Sequence, residues 1–262
     1  MTVKDILQAV DAIAPFRLTM DFDNTGLLIG NPDAEVKGVV LALDCTDSVL
    51  AEAKEKNANL VITHHPVIFH GIKKVCADSV VWQAVRNDIN VISAHTNLDI
   101  AQGGVNDCLA EILGLTEVGG LTAVGESVDE NGNVSRETLG RVGRLSAALS
   151  AKELAQLVKE KLNTAVRYTD GGKAIETAAV CGGAGDSELE SAISCGAQAL
   201  ITGEAAHHIF IEAAHRGISL IEGGHFHTEN LVLEELRYVL EKKFPQLDVE
   251  ISENSTDPCK YI

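Results

Sequence analysis

The sequence predicts an α/β protein built as two similar lobes, with helices packed on mainly parallel sheets, and three observations carry that reading. Short aliphatic runs alternate with helix-length amphipathic segments, the order of βαβ units. Hydrophobic residues make up 45% of the 262 positions but aromatics only 4%, so the apolar content is mostly Ala, Val, Leu and Ile, as in strands sandwiched by helices. The chain also repeats itself: Asp47-Ser48-x-Leu50 recurs as Asp186-Ser187-x-Leu189, and Ala58-x-x-x-Ile62-Thr63 as Ala197-x-x-x-Ile201-Thr202, both displaced by 139 residues. One gap-free displacement is what an internal duplication produces.

In chain order, Thr2 and Asp5 form a capping pair for a first helix whose Ile6, Val10 and Ile13 share a face, and Pro15 ends it. Asp21 to Gly30 holds a polar cluster and two glycines around a short strand; Asp23 and Asn24 read as cap or turn residues. A strand from Val36 to Leu43, a helix from Ser48 to Asn57 and an apolar run ending on Thr63-His64-His65-Pro66 make the first βαβ unit. After a loop carrying Phe69, His70, Lys73 and Lys74, a helix from Val80 to Asn87 leads to the strand Ile89–Ser93 and then His95-Thr96-Asn97-Leu98-Asp99. Asn106 opens a helix that Gly114 closes.

Residues 119 to 142 are rich in Gly, and Asn131-Gly132 is a hairpin signal, so the lobe boundary is expected here: 1–120 for the first lobe, 121–262 for the second, with the C-terminal helix returning to pack on the first. Ser150 and Glu153 form a capping box for a helix reaching Leu162. A strand follows at Ala165–Tyr168, another at Ala178–Cys181, then Gly182-Gly183-Ala184-Gly185, a helix from Glu204 to His215, a strand Ile218–Ile221 and Gly223-Gly224-His225-Phe226-His227-Thr228-Glu229. The glycine run fits neither GxGxxG nor GxxxxGK[ST], so it reads as a tight strand-to-helix turn rather than a phosphate loop.

The charge, 21 basic against 38 acidic residues for a net −17, argues against nucleic acid or an anionic membrane as partner. No apolar run is long enough to span a bilayer, and the N-terminus starts directly in a helix pattern, so a cytoplasmic location is expected. The six cysteines occur singly, without CxxC spacing, and read as buried reduced thiols.

Two histidines at a strand end mean little without partners, and the partners are present. Ligand sites in parallel sheets lie at the carboxyl ends of strands, where His64-His65, His95-x-x-x-Asp99 and His225-x-x-x-Glu229 all fall. A histidine and a carboxylate four apart in the turn after a strand share a face. His64, His65 and His225 would supply nitrogen, and Asp99 and Glu229 could each bridge. Five ligands exceed what one open catalytic ion takes and suit two divalent ions in a site between the lobes, with Zn, Fe, Mn, Co and Ni all compatible. His95 would orient a ligand or act as acid or base toward substrate. His207 and His208, on successive helical positions, point different ways, and solvent or helix packing is the expected fate of at least one.

Taken together, Asp23-Asn24-Thr25-Gly26-Leu27, Thr63-His64-His65-Pro66, His95-Thr96-Asn97-Leu98-Asp99, Asn106, Gly182-Gly183-x-Gly185, Thr202-Gly203-Glu204-x-x-His207-His208 and Gly224-His225-x-x-x-Glu229 resemble the GTP cyclohydrolase I type 2 family, the Nif-three-like dinuclear-metal proteins. The resemblance implies metal ligands at His64, His65, Asp99, His225 and Glu229, two α/β lobes around them and a ring-shaped homohexamer. Glu204, where many relatives would carry Asp, is a mild departure. The resulting expectation is a metal-dependent hydrolase acting on a small-molecule substrate, nucleotides included, through activated water, with His95 as catalytic acid or base. GTP would meet few cations near such a site, Lys73, Lys74 and Arg216 being those in view. The alternative is a non-catalytic metal-binding regulatory or scaffold protein.

Overall fold

The computed structural model describes residues 1–128, 132 and 134–260. It divides into two compact units, one of Met1–Gln102 with Val232–Thr256, the other of Gly103–Leu231 with the segment from Asp257 onward. Residue 120, where the sequence was divided, therefore lies inside the second unit.

The first unit opens with α1 (Val3–Ile13), whose N-terminus carries the expected reciprocal cap between Thr2 and Asp5. Its sheet combines β1 (Gly26–Ile29), β2 (Val39–Ala42), β3 (Leu60–Thr63), β4 (Asn90–Ser93) and, from the end of the chain, β11 (Val249–Ile251), in the order β1-β4-β3-β2-β11. All pairings but β1 with β4 are parallel. The connecting helices are α2 (Asp47–Glu55), α3 (Val80–Arg86), the short α4 (Thr96–Ile100) and α10 (Val232–Lys243), the last packing against β2 and β11 of this unit. Val40, Ala42, Val61 and Val91 on one sheet face close on Val49, Leu50 and Ala53 of α2 and Ala84 of α3. The central strands β2, β3 and β4 are buried at every position, which is why they read as continuous apolar runs.

The second unit contains α5 (Val105–Ile112), β5 (Thr116–Val128), β6 (Val134–Leu149), α6 (Ala151–Leu162), β7 (Arg167–Thr169), β8 (Ile175–Cys181), α7 (Leu189–Ser194), β9 (Ala199–Thr202), α8 (His207–Arg216), β10 (Ser219–Glu222) and α9 (His225–Glu229). The sheet order is β5-β6-β8-β9-β10-β7. Only β8, β9 and β10 run parallel; the β5–β6 hairpin, β6 against β8 and β7 against β10 are antiparallel. Over both sheets five of the nine pairings among the described residues are parallel, and the second sheet is mixed because a direct hairpin can join only antiparallel strands. Of the predicted turn, Asn131 lies outside the described residues.

Side chains alternate across this sheet with period two. Ala178, Val180, Ala199, Ile201 and Ile221 meet Leu154, Val158 and Leu162 of α6, while Ala179, Leu200 and Leu220 meet Leu189 and Ala192 of α7 and Ala213 of α8. Burying each Leu or Ile contributes about 1.5–3 kcal/mol. The register Val39↔Leu60 to Ala42↔Thr63 in the first unit recurs 139 positions later as Ala178↔Ala199 to Cys181↔Thr202. The cysteines are all reduced thiols, but Cys76, Cys195 and Cys259 are exposed rather than buried, since they stand in a loop, at a helix end and beyond the last strand.

Candidate metal centre

In the first unit the site grows out of β3. His64 N–H donates to the Ala42 carbonyl at 3.2 Å and His65 N–H to that of Leu43 at 2.9 Å, so the pairing with β2 continues through both histidines. The Ser93 hydroxyl donates to the His64 carbonyl at 2.9 Å, the Thr63 hydroxyl to that of His65 at 2.7 Å, and Pro66 then prevents helical continuation. The two imidazoles therefore project from a fixed backbone.

Each imidazole is also oriented through its ring. His64 Nδ1 lies 2.9 Å from the Ala94 carbonyl, His65 Nδ1 2.8 Å from Asp44 Oδ1, and His95 Nδ1 2.9 Å from Asp23 Oδ1. A carbonyl and a carboxylate only accept, so every Nδ1 donates and every neutral ring keeps its lone pair on Nε2. Ring nitrogens of His64, His65 and His95 lie within 4.8 Å of one another, close enough for all three to reach one metal ion. His64 Nε2 faces Asp99 Oδ1 at 3.6 Å.

Helix α4 sets the last two residues. His95 is its N-cap residue; Leu98 and Asp99 N–H groups bond back to the His95 carbonyl at 2.8 and 3.0 Å, and the Asn97 carboxamide anchors the turn to the Ala14 carbonyl at 2.7 Å. Asp23 is a buried carboxylate that accepts from His95 Nδ1, from the Thr96 hydroxyl at 2.6 Å and from the Thr96 N–H at 3.1 Å. Burial works to raise its pKa, but the hydrogen bonds from His95 and Thr96 outweigh it and hold the group ionised well below the usual carboxylate range.

In the second unit, α9 begins at His225 directly after β10 and two glycines, and places His225 Nε2 3.1 Å from Glu229 Oε2 on the shared helical face. His225 Nδ1 lies 3.4 Å from Glu204 Oε2, so Glu at position 204 reaches the ring despite departing from the Asp expected there. The glycine run forms the expected tight turn: Gly182 N–H donates to Asn106 Oδ1 at 2.9 Å, Gly183 N–H to Thr228 Oγ1 at 3.1 Å and Gly185 N–H to Thr202 Oγ1 at 2.9 Å. Those amides serve side chains of the same unit, unlike a phosphate cradle's, which face a ligand. His207 and His208 are both exposed on α8.

Each unit thus brings together its own predicted residues: His64, His65, His95 and Asp99 in one, His225 and Glu229 in the other. Sequence reasoning missed the carboxylates behind the rings. Asp44 went unremarked and Asp23 was read as a turn residue, although Asp44 follows β2, the strand beside β3, and parallel neighbours deliver their next residues to the same edge. Among the described residues no helix is long and apolar enough to cross a membrane.

The model of the family Duf34/NIF3 (NGG1p interacting factor 3) matches residues 1–258. Among curated relatives, a protein of Clostridium acetobutylicum named GTP cyclohydrolase 1 type 2 homolog is 36% identical over 271 residues, covering 100% of this chain and 99% of its own. One of the same name from Clostridium perfringens is 33% identical over 270 residues and covers both chains fully. Among solved structures, a hypothetical protein of Staphylococcus aureus superposes with a TM-score of 0.91 at 31% identity, over 100% of this chain and 99% of that one. A Bacillus cereus protein related to NIF3 gives 0.89 at 24% identity, with 100% and 99% covered, a likeness of fold.

Proposed function

The chain belongs to the Duf34/NIF3 family, and from that premise we propose that it is a metal-dependent hydrolase in which His64, His65, Asp99, His225 and Glu229 hold two divalent ions. The observation that carries the reading is the common orientation of the histidines: an acceptor behind each Nδ1 leaves each Nε2 lone pair for a ligand bond. The donor set fits such ions, since mixed imidazole and carboxylate ligation suits Zn, Fe, Mn, Co or Ni. Bound there, the ions would lower the pKa of water toward about 7 and so make a nucleophile at neutral pH.

The chain's own groups do the rest. His65 and His95 keep partly open faces, so a substrate can approach them, whereas His64 is fully enclosed. His95 acts as acid or base: with Nδ1–H held by ionised Asp23, its Nε2 is the atom that takes up or gives the proton. Asp23, pinned by Thr96, keeps the ring from turning.

The substrate is a small molecule, and the names of the relatives make GTP the first compound to test. Against GTP, Arg216 is already engaged by Glu190 and Glu212, which leaves exposed Lys73 and Lys74 as the loop cations for a triphosphate. The recurring register at a displacement of 139 supports descent of the two units by duplication, and a ring-shaped homohexamer in the cytoplasm is the proposed working state. Elemental analysis of purified protein should find two ions per chain, reduced in His65→Ala and in Glu229→Ala; a full complement in both variants sinks the site. Turnover of GTP, phosphoesters or cyclic amidines that disappears in Asp99→Ala supports the hydrolase, and inactivity of metal-saturated protein on the whole panel favours a regulatory or scaffold role.

A further inference from the structure

We propose that Gly183 and Thr228 are positioning residues that aim the Glu229 carboxylate, an inference that rests on the metal-binding reading above. Gly183 occupies the left-handed region at φ +61°, and a Cβ placed there would come 2.0 Å from Glu229 Oε1 and 3.3 Å from His225 Nε2. The missing side chain is therefore the space that the carboxylate occupies, beside the ligand face of the imidazole. Thr228 holds the opposite side. Its fully buried hydroxyl accepts from Gly183 N–H at 3.1 Å and lies 2.9 Å from the His225 carbonyl and 3.0 Å from that of Gly224, to which it donates. One hydroxyl thus ties the glycine turn after β8 to the first turn of α9. Gly203 completes the seat, because a Cβ there would meet Thr228 Oγ1 at 2.6 Å and His225 Cα at 2.8 Å. Glu229 is itself nearly fully buried, so its carboxylate cannot swing outward to avoid an intruding methyl group.

The test is calorimetric titration of the metal-stripped full chain with Zn2+, together with zinc content after dialysis. Gly183→Ala should bind fewer ions than the unaltered chain or bind the last one at least about tenfold more weakly, the size of effect seen when an orienting neighbour of a ligand is lost. Gly172→Ala is the matched control: φ there is +73° but nothing lies within 4 Å of the added Cβ, so it carries the backbone strain without the intrusion and should bind normally. Thr228→Val keeps the shape and removes the hydroxyl and should weaken zinc binding, while Thr228→Ser restores the hydroxyl and should recover it. Zinc binding by Gly183→Ala equal to the unaltered chain overturns the proposal, and if that variant does not fold, equal binding by Thr228→Val and Thr228→Ser overturns it instead. Failure of the unaltered chain to bind zinc would strike the metal-binding reading itself, a distinct result.

Discussion

The buried carboxylate of Glu52 makes a quantitative claim about how the first unit keeps the end of its chain in place. Glu52 stands on α2 and is nearly fully buried, yet it accepts from Glu253 N–H at 3.0 Å, Asn254 N–H at 3.2 Å, Asn254 Nδ2 at 2.9 Å and the Ser252 hydroxyl, with Lys56 Nζ at 3.2 Å. Burial alone would raise its pKa, but the hydrogen bonds from Ser252, Asn254 and Glu253 prevail and bring it down to about 2 from an ordinary 4.5. A depressed folded-state pKa means stability that is present above the unfolded pKa and lost as the pH falls toward the folded one. The difference corresponds to about 3 kcal/mol at pH 7, nearly all of it still present at about pH 5 and roughly half gone by about pH 3. Glu52→Gln removes the charge and turns an NH2 toward groups that donate. Urea unfolding followed by circular dichroism at a series of pH values should therefore show the variant about 3 kcal/mol less stable at neutral pH, with the gap narrowing as the medium is acidified. A gap below about 1 kcal/mol at pH 7, or one that stays constant down to pH 3, would refute the assignment of that stability to the ionised carboxylate.

Three further outcomes can be checked directly. Asp44→Ala should weaken zinc binding about 10- to 100-fold by releasing the His65 ring, and unchanged affinity in a calorimetric titration would remove Asp44 from the site. The Cys45 thiol, pushed up to about 12 by burial and by the charges of Asp47 and Asp44, should stay unmodified by iodoacetamide at pH 8 while exposed Cys76 is alkylated, as read by peptide mass spectrometry. Gly171→Ala should cost about 1–3 kcal/mol, because its Cβ would lie 2.5 Å from the Ile218 carbonyl carbon and 2.7 Å from Ser219 N; thermal unfolding no different from the unaltered chain would contradict that close approach.

The strands and the local ligand motifs were legible in the sequence because their signals are short-range. Continuous apolar runs marked β3 and β4, a reciprocal cap marked α6, and the four-residue spacing of His225 and Glu229 became a shared helical face. The mixed sheet of the second unit was less legible: a long hairpin next to a βαβ unit fixes its own antiparallel pairing, but which strand its second arm joins depends on packing that no local pattern records. The same distinction governs the site. A ligand's identity lies in its own residue type, whereas its orientation lies in whatever acceptor stands behind it. For His65 that acceptor is 21 residues away and for His95 it is 72 away, on a loop whose Asp and Asn have a sufficient local explanation as turn formers. Asp23 shows how the two roles coexist. It accepts locally from the Asn24 N–H at 2.7 Å, as a turn residue does, and at the same time holds His95 and Thr96. A residue type with an adequate local role can therefore carry a second, distant one at no cost in sequence signal, and the carboxylates behind the histidines belong to that class.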